Sequence, residues 1–249
     1  MASDPLMSSA PTVRSAFVLG AGLGTRLGAL TRDCPKPLLE VGGRPLVTYA
    51  FDHLIGVGIQ RIMINTHHAA ERWAETFASG QWRGVPLSFR HEPVLLETGG
   101  GLKNIEDWVG AEPLLVYNGD VLTDLSLHPL LEPVSPGVLV VLGLRRQTPV
   151  CNVEWEATSG AVVDLRERLG RRGTERCGFT GIYRVEPGFF RFLEKGKIES
   201  VVEGFLRAMQ AAPGSVIGKL LEGGSWHDLG TPEELERARR AMKGHGSTE

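Results

Sequence analysis

Short apolar, β-branched runs alternate along this chain with longer stretches in which apolar residues recur at helical spacing. Ala16 to Leu19 reads as a first strand. Pro45 to Val57 follows as a helix, with proline in its first turn and Gly58 just past its end, where each is favoured. Arg61 to Asn65 predicts a second strand, Ala69 to Ser79 a helix and Leu87 to Arg90 a third strand. Gly101 to Trp108 then reads as a short helix and Leu114 to Tyr117 as a fourth strand. This βαβαβαβ order predicts parallel strands joined by right-handed crossovers, with every C-terminal strand end on one edge. The loop after Leu19, Asn65 and Asp120 are therefore expected to meet there, where open α/β sheets bind ligands.

After Gly137 the pattern changes. Val138 to Leu144, Val150 to Trp155, Ala161 to Leu165 and Phe179 to Val185 are strand-like runs on short loops. Phe189 to Glu194 and Val201 to Ala211 read as helices, Ser215 to Leu220 and Ser225 to Leu229 as strands. Pro232 to Met242 reads as a terminal helix capped by Thr231. The expected fold is a single α/β domain over residues 14–243: a Rossmann-like mixed sheet flanked by helices, with a small antiparallel layer added to it. Residues 1–13 and 244–249 read as disordered ends.

Chemistry enters with the stretch from Leu19 to Lys36, L-G-A-G-L-G-T-R-L-G-A-L-T-R-D-C-P-K. Gly20, Gly22 and Gly24 alternate directly after a strand, and Arg26 and Lys36 follow. Glycine lets backbone N–H groups approach an anion closely, and two cations offset the charge of a polyphosphate. A dinucleotide-binding loop needs G-x-G-x-x-G opening a helix; here the third glycine comes one residue early, and Pro35 and Pro37 prevent a continuing helix. A Walker loop needs lysine directly after glycine, where Thr25 and Arg26 stand. A plain glycine turn remains open for the glycines alone.

Asp120 ends an apolar strand as N-G-D, where it faces the crevice and suits Mg²⁺, although N-G-D is also ordinary turn chemistry. Asp228 in W-H-D-L-G-T lies between Trp226 and Leu229, so a largely buried segment is expected, and a buried carboxylate needs a cation or several donors. Glu97-Thr98-Gly99-Gly100-Gly101 precedes the short helix. Its glycines suit close packing on a flat base or ribose, with Glu97 or Thr98 giving directed hydrogen bonds.

Composition narrows the partners. The net charge is −2, and the longest cationic cluster, Arg166 to Arg176, is interrupted by Glu167 and Glu175, so no nucleic-acid surface is expected. No stretch reaches the roughly 18 apolar residues of a membrane span, and the first residues lack a leader's apolar run. Cys34, Cys151 and Cys177 are scattered without C-x-x-C spacing, which argues against zinc and disulfides and for a cytoplasmic location. His67 and His68 are adjacent, point in different directions and have no H-x-x-x-H partner, so no metal role is assigned to them.

Taken together these motifs resemble the sugar-1-phosphate nucleotidyltransferase family. Its signature G-x-G-T-R-[LM] followed by K-P-L stands at Gly22-Leu23-Gly24-Thr25-Arg26-Leu27 and Lys36-Pro37-Leu38. Its metal motif stands at Gly119-Asp120 and its late D-x-G-T at Asp228-Leu229-Gly230-Thr231. Leu96 to Gly101, Asn118 to Val121 and Phe179 to Ile182 look most like uridylyltransferases acting on N-acetylmuramate 1-phosphate, with short mannose- and heptose-1-phosphate guanylyltransferases as near relatives. The resemblance implies a nucleotide-binding part over about residues 14–136 and a sugar-phosphate-binding part over about 137–229.

It implies that Leu19, Ala21, Gly22, Gly24, Thr25 and Arg26 hold the triphosphate, and that Lys36 bridges toward the α-phosphate and the incoming sugar phosphate. Arg26, Lys36 and Asp120 are the implied catalytic set, and Asp120 and Asp228 the Mg²⁺ ligands. Asn65, Glu97, Thr98 and Gly99 would surround base and ribose, and Asn118, Asn152 and Gly181 would border the sugar. Many members carry E-K-P with a second sugar-phosphate lysine; here the region reads D-L-R-E-R-L-G-R-R, so either Arg166 or Arg168 substitutes or Lys36 works without it. The implied reaction joins UTP or GTP to a sugar 1-phosphate, giving an NDP-sugar for cell-wall or polysaccharide assembly and pyrophosphate. A monomer or homodimer is expected. The competing expectation is a silent relative that binds NDP-sugar and regulates a partner, against which Arg26, Lys36 and both carboxylates are retained.

Overall fold

The structure, a computed structural model, describes residues 13–244. Most of the two ends expected to be disordered thus lies outside the described residues; Val13, assigned to the first of them, is buried in the core. One sheet of ten strands organises the molecule. Its parallel part contains β1 (Ser15–Leu19), with β4 (Arg61–Thr66) on one side and β7 (Leu114–Asn118) on the other, and β6 (Val85–His91) beyond β4. The two-residue pairs β2 (Glu40–Val41) and β3 (Arg44–Pro45) form a separate hairpin, and β5 (Gln81–Trp82) closes the sheet edge beside β6. A further two-stranded pair joins β8 (Val121–Thr123) to β14 (Trp226–Asp228) and so brings Asp228 opposite Val121, one residue after Asp120.

The antiparallel strands are not a separate layer; they extend the same sheet. The long β12 (Glu175–Val185) pairs with β7 through Ile182–Val185 and with β10 (Val153–Trp155) through residues 175–177. Beyond β10 lies β11 (Val162–Leu165), and the other side of β12 carries β9 (Val140–Arg145) and then β13 (Val216–Leu220). Pairing slips between Phe179 and Tyr183, where Gly181 has φ +78°. That bulge lets one strand serve the parallel half at one end and the extension at the other.

Burial on both faces explains the near-continuous apolar strands. In β1, Phe17 packs with one core cluster, including Leu102, Tyr183 and Phe205, while Ala16 and Val18 pack with another, including Phe51 and Ile64. The helices that cover these faces are α1 (Val47–Gly56), α2 (Glu71–Thr76), α3 (Glu97–Lys103), α4 (Glu106–Val109), α5 (His128–Leu131), α6 (Val201–Ala211) and α7 (Pro232–Gly244). The α6 bounds match the sequence reading, because Ser200 accepts a hydrogen bond from the Val202 N–H and Val201, Phe205, Ala208 and Met209 are buried.

Two local expectations change. Residues Thr25–Thr31 form a 3₁₀ run broken by Gly28 (φ 58°, ψ −122°), where the prolines predicted no helix; the run ends before they begin. Helix α3 starts at Glu97, so Gly99, Gly100 and Gly101 lie inside it. Three glycines weaken a helix. Here a Cβ on Gly100 would stand 2.1 Å from the Lys197 carbonyl oxygen, and one on Gly99 2.9 Å from that of Glu199. The backbone of residues 197–200, just ahead of α6, thus leaves no room for a side chain at Gly99 or Gly100.

Candidate active site

The parallel strands end on one edge, and a cleft of about 490 Å³ opens there. Leu19, Ala21, Gly22, Gly24, Thr25, Arg26, Lys36, Asn65, Glu97, Thr98, Asn118 and Asp120 all line it. Of the residues expected at the site, Gly99, Asn152, Gly181 and Asp228 do not line it. Gly99 is buried and donates its N–H to the Glu199 carbonyl. Gly181 sits behind Asn118, whose Nδ2 would be 2.6 Å from a Cβ there. Asn152 supports the site at one remove, its carbonyl accepting the Arg166 N–H at 2.7 Å.

The glycine loop is shaped from both sides. Gly22 is exposed, with no atom within 4 Å of where its Cβ would be, so that space belongs to the cleft. Gly24 has φ +63°, a left-handed conformation costly for other residues, and its carbonyl accepts hydrogen bonds from Leu27 N–H at 2.8 Å and Thr31 Oγ1 at 3.0 Å. Gly20 N–H donates to Asn65 Oδ1 at 2.8 Å, and Asn65 Nδ2 donates to Glu92 Oε1 at 2.8 Å. Glu92 is fully buried, and its other oxygen accepts the Leu96 N–H at 3.0 Å. One carboxylate thereby ties the glycine loop to the Leu95–Thr98 wall. Sequence reading missed Glu92, which stands just past β6, a strand in which Leu87 alone is buried, so no burial pattern announced it.

The charged centre lies under that loop. Lys36 is buried, and its Nζ stands 2.6 Å from Asp120 Oδ2 and 3.9 Å from Asp228 Oδ1. The Asp228 segment is less buried than expected, since its side chain is 45% exposed, yet Oδ1 is enclosed and has no hydrogen-bond partner. Burial and the neighbouring Asp120 carboxylate push Asp228 above the usual carboxylate range, against the pull of Lys36 and Arg26. An enclosed carboxylate oxygen without a donor, beside a second carboxylate, is a hard-oxygen pair that fits a divalent cation. Arg26 is exposed to the cleft with its guanidinium against Gly230, where a Cβ would be 2.6 Å from Nη2. The D-x-G-T motif thus holds a carboxylate and a seat for the arginine.

His68 Nε2 is 3.0 Å from the Thr31 carbonyl and His67 Nδ1 2.7 Å from that of Glu92, so both rings serve the backbone. Among the described residues no group of three or more His, Cys, Asp or Glu side chains gathers as a metal cage. Arg166 lines the cleft, whereas Arg168 is paired with Glu203 at 2.8 Å. Gly230, inside the D-x-G-T motif, also lines it, as do Leu95 and Ser200, which were not expected from sequence because they arrive from loops that carry no motif.

A family model described as nucleotidyl transferase matches residues 15–244. The chain is 29% identical over 230 residues to N-acetylmuramate alpha-1-phosphate uridylyltransferase of Neisseria meningitidis, covering 90% of this chain and 96% of that protein. It is 28% identical to mannose-1-phosphate guanylyltransferase of Mycobacterium tuberculosis, covering 89% of this chain but only 62% of that longer protein. The solved inositol-1-phosphate CTP transferase from T. maritima superposes with TM-score 0.76 at 18% identity, covering 96% of this chain and 98% of that one, which shows the shared fold. Three different bases stand in those three names.

Proposed function

The chain belongs to the nucleotidyl transferase family and is a nucleotidyltransferase, and we propose that it joins a nucleoside triphosphate to a sugar 1-phosphate with release of pyrophosphate. The observation that carries this reading is the single cleft in which the Gly22 to Arg26 loop, Lys36 and Asp120 meet, with the unpartnered Asp228 oxygen 3.9 Å from Lys36. Among sugar phosphates we favour uridylyl transfer to N-acetylmuramate 1-phosphate or a similar hexose 1-phosphate. The full-length match to the Neisseria relative supports that choice over guanylyl transfer, whose relative is much longer.

In this reading the acceptor's phosphate oxygen attacks the α-phosphorus, and the bond to the departing pyrophosphate breaks opposite it. No protein nucleophile is required, so the chain contributes positioning and charge. The loop N–H groups around Gly22 face the triphosphate, Arg26 offsets charge on the leaving pyrophosphate, and Lys36 lies where donor and acceptor phosphates meet. Asp120 and Asp228 would hold Mg²⁺, which when bound neutralises phosphate oxygens. Glu97 and Thr98 face the nucleoside, and Asn65 orients the loop through Gly20. No helix among the described residues is long and apolar enough to cross a membrane, and with three free cysteines we place the enzyme in the cytoplasm.

A pyrophosphate-release assay of the four NTPs against a panel of sugar 1-phosphates, with and without Mg²⁺, tests the reading. Release from UTP with an N-acetylhexosamine-type 1-phosphate is expected; no release from any pair would remove the proposal.

A further inference from the structure

Thr31 is buried and does not line the cleft, yet its side chain is spent on the turn that carries Thr25 and Arg26, which do. Its Oγ1 donates to the Gly24 carbonyl at 3.0 Å and shares that proton with the Gly28 carbonyl at 3.3 Å. The two carbonyls stand on either side of Thr25, Arg26 and Leu27. Resting on the phosphate role proposed above for Gly22 to Arg26, we infer that Thr31 is the positioning residue of this turn: its hydroxyl holds the Thr25 N–H and the Arg26 side chain toward the triphosphate.

Peptide geometry supplies the link. A trans peptide points its C=O and N–H in opposite directions, so a Gly24 carbonyl turned inward onto Thr31 Oγ1 and the Leu27 N–H turns the Thr25 N–H outward. Thr25 is exposed on that side and lines the cleft, where an outward N–H suits an anion. Gly24 and Gly28 have φ 63° and 58°, which glycine permits but does not enforce. The Thr31 hydroxyl supplies the missing constraint. A threonine bonded only to Gly28, three residues back, would be an ordinary local back-bond. The shorter bond here reaches seven residues back and so closes the whole turn.

The rest of the residue is held as firmly. A Cβ on Gly24 would stand 2.9 Å from Thr31 Cγ2 and 3.2 Å from Lys36 Cβ, so the Thr31 methyl group packs on the turn beside Lys36. The Thr31 carbonyl accepts the His68 Nε2–H at 3.0 Å. Leu27 is buried in a cluster with Leu39, Leu122 and Leu229, which leaves Arg26 on the exposed side.

The test compares wild type with Thr31→Val, which keeps the shape and removes the hydroxyl, and Thr31→Ser, which keeps the hydroxyl and removes the methyl group. Calorimetry of NTP binding without acceptor, inhibition by inorganic pyrophosphate, steady-state kinetics and urea denaturation are read on each. Thr31→Val should weaken NTP and pyrophosphate binding by about 5- to 30-fold, the factor for one buried hydrogen bond, with the acceptor KM unchanged. Thr31→Ser should bind as wild type while losing stability to urea, because its packing is lost and its bond kept. If urea shows Thr31→Val unfolded, Thr31→Ala against Thr31→Ser isolates the hydroxyl in its place. Wild-type binding without the hydroxyl, an equal loss in Thr31→Ser, or a rise confined to the acceptor KM overturns the inference and leaves the reaction class standing. A wild type that binds NTP but turns over no sugar 1-phosphate removes the proposed reaction, and the same binding comparison still decides Thr31. A wild type that binds no NTP removes both.

Discussion

Two aspartates, fully buried Asp164 beneath the Arg166 loop and half-exposed Asp228 beside Lys36, are treated in opposite ways. Asp164, in the antiparallel extension, accepts hydrogen bonds from three backbone N–H groups and fixes a loop. Asp228, beside Lys36, keeps an enclosed oxygen with no donor and lies next to a second carboxylate. The first is a satisfied anion that organises structure. The second is an anion left unsatisfied by the protein, which is tolerable where the missing partner is a ligand. The same contrast runs through the backbone: the glycine loop takes its left-handed turn at Gly24, while the extension takes two at Arg166 and Glu167 and holds them with Asp164.

Substituting the charged centre should give the largest effect. Asp120→Ala is expected to lower turnover by on the order of 10³-fold or more, with the melting temperature nearly kept because Lys36 retains Asp228 at 3.9 Å. Pyrophosphate release and thermal denaturation on the same preparation check it, and wild-type turnover would detach Asp120 from the chemistry. Arg26→Ala comes next, with a loss of about 10²- to 10³-fold mainly in kcat, as for a preorganised donor to a developing anion. The residue is exposed, so its stability should not change.

Most of the parallel half was legible because its motifs are local in sequence. Gly22 to Arg26, Lys36 and Gly119-Asp120 are contiguous motifs, and parallel topology alone carries Asn65 and Asp120 to the same edge. The expected strand at Leu114 and helix at Val201 followed from periodicity in the same way. The extension was not legible at this level. Gly99 looked ligand-facing, but the backbone of Glu199 and Ser200, about a hundred positions on, lies against it. Arg166 and Arg168 stand two apart in an irregular loop, and only the loop's path decides which one reaches the cleft. Asp164 was visible as a polar residue in V-V-D-L, yet its three donors come from a turn no pattern announced.

Asp164→Ala sharpens the contrast between halves at a smaller scale. Leaving those N–H groups without their acceptor should cost about 2–3 kcal/mol of stability, read by urea denaturation. The acceptor KM should rise with it while the NTP KM stays put; equal damage to both would mean that the extension and the nucleotide half are not separable. Arg166→Gly is expected to move stability the other way. Relief of a left-handed non-glycine residue should add up to about 1 kcal/mol, read by the same urea denaturation.

The smallest effect concerns Asp228 and its pH dependence. Its folded-state pKa is raised, chiefly by burial and then by Asp120, so between the ordinary carboxylate value and the raised one the folded chain binds more proton than the unfolded chain. Stability must therefore fall as pH rises through that window and recover as pH drops back through it. Asp228→Asn removes the titrating group, and its stability curve should lack that descending segment. At neutral pH the variant should exceed wild type by less than about 1 kcal/mol, because a half-exposed side chain is screened by solvent. Chemical denaturation of both proteins across the acidic range reads the difference directly. Adding Mg²⁺ at neutral pH should then stabilise wild type more than Asp228→Asn, since a cation would give the orphaned oxygen its partner. If the two curves run parallel from acid to neutral, Asp228 is satisfied in solution and its contrast with Asp164 disappears.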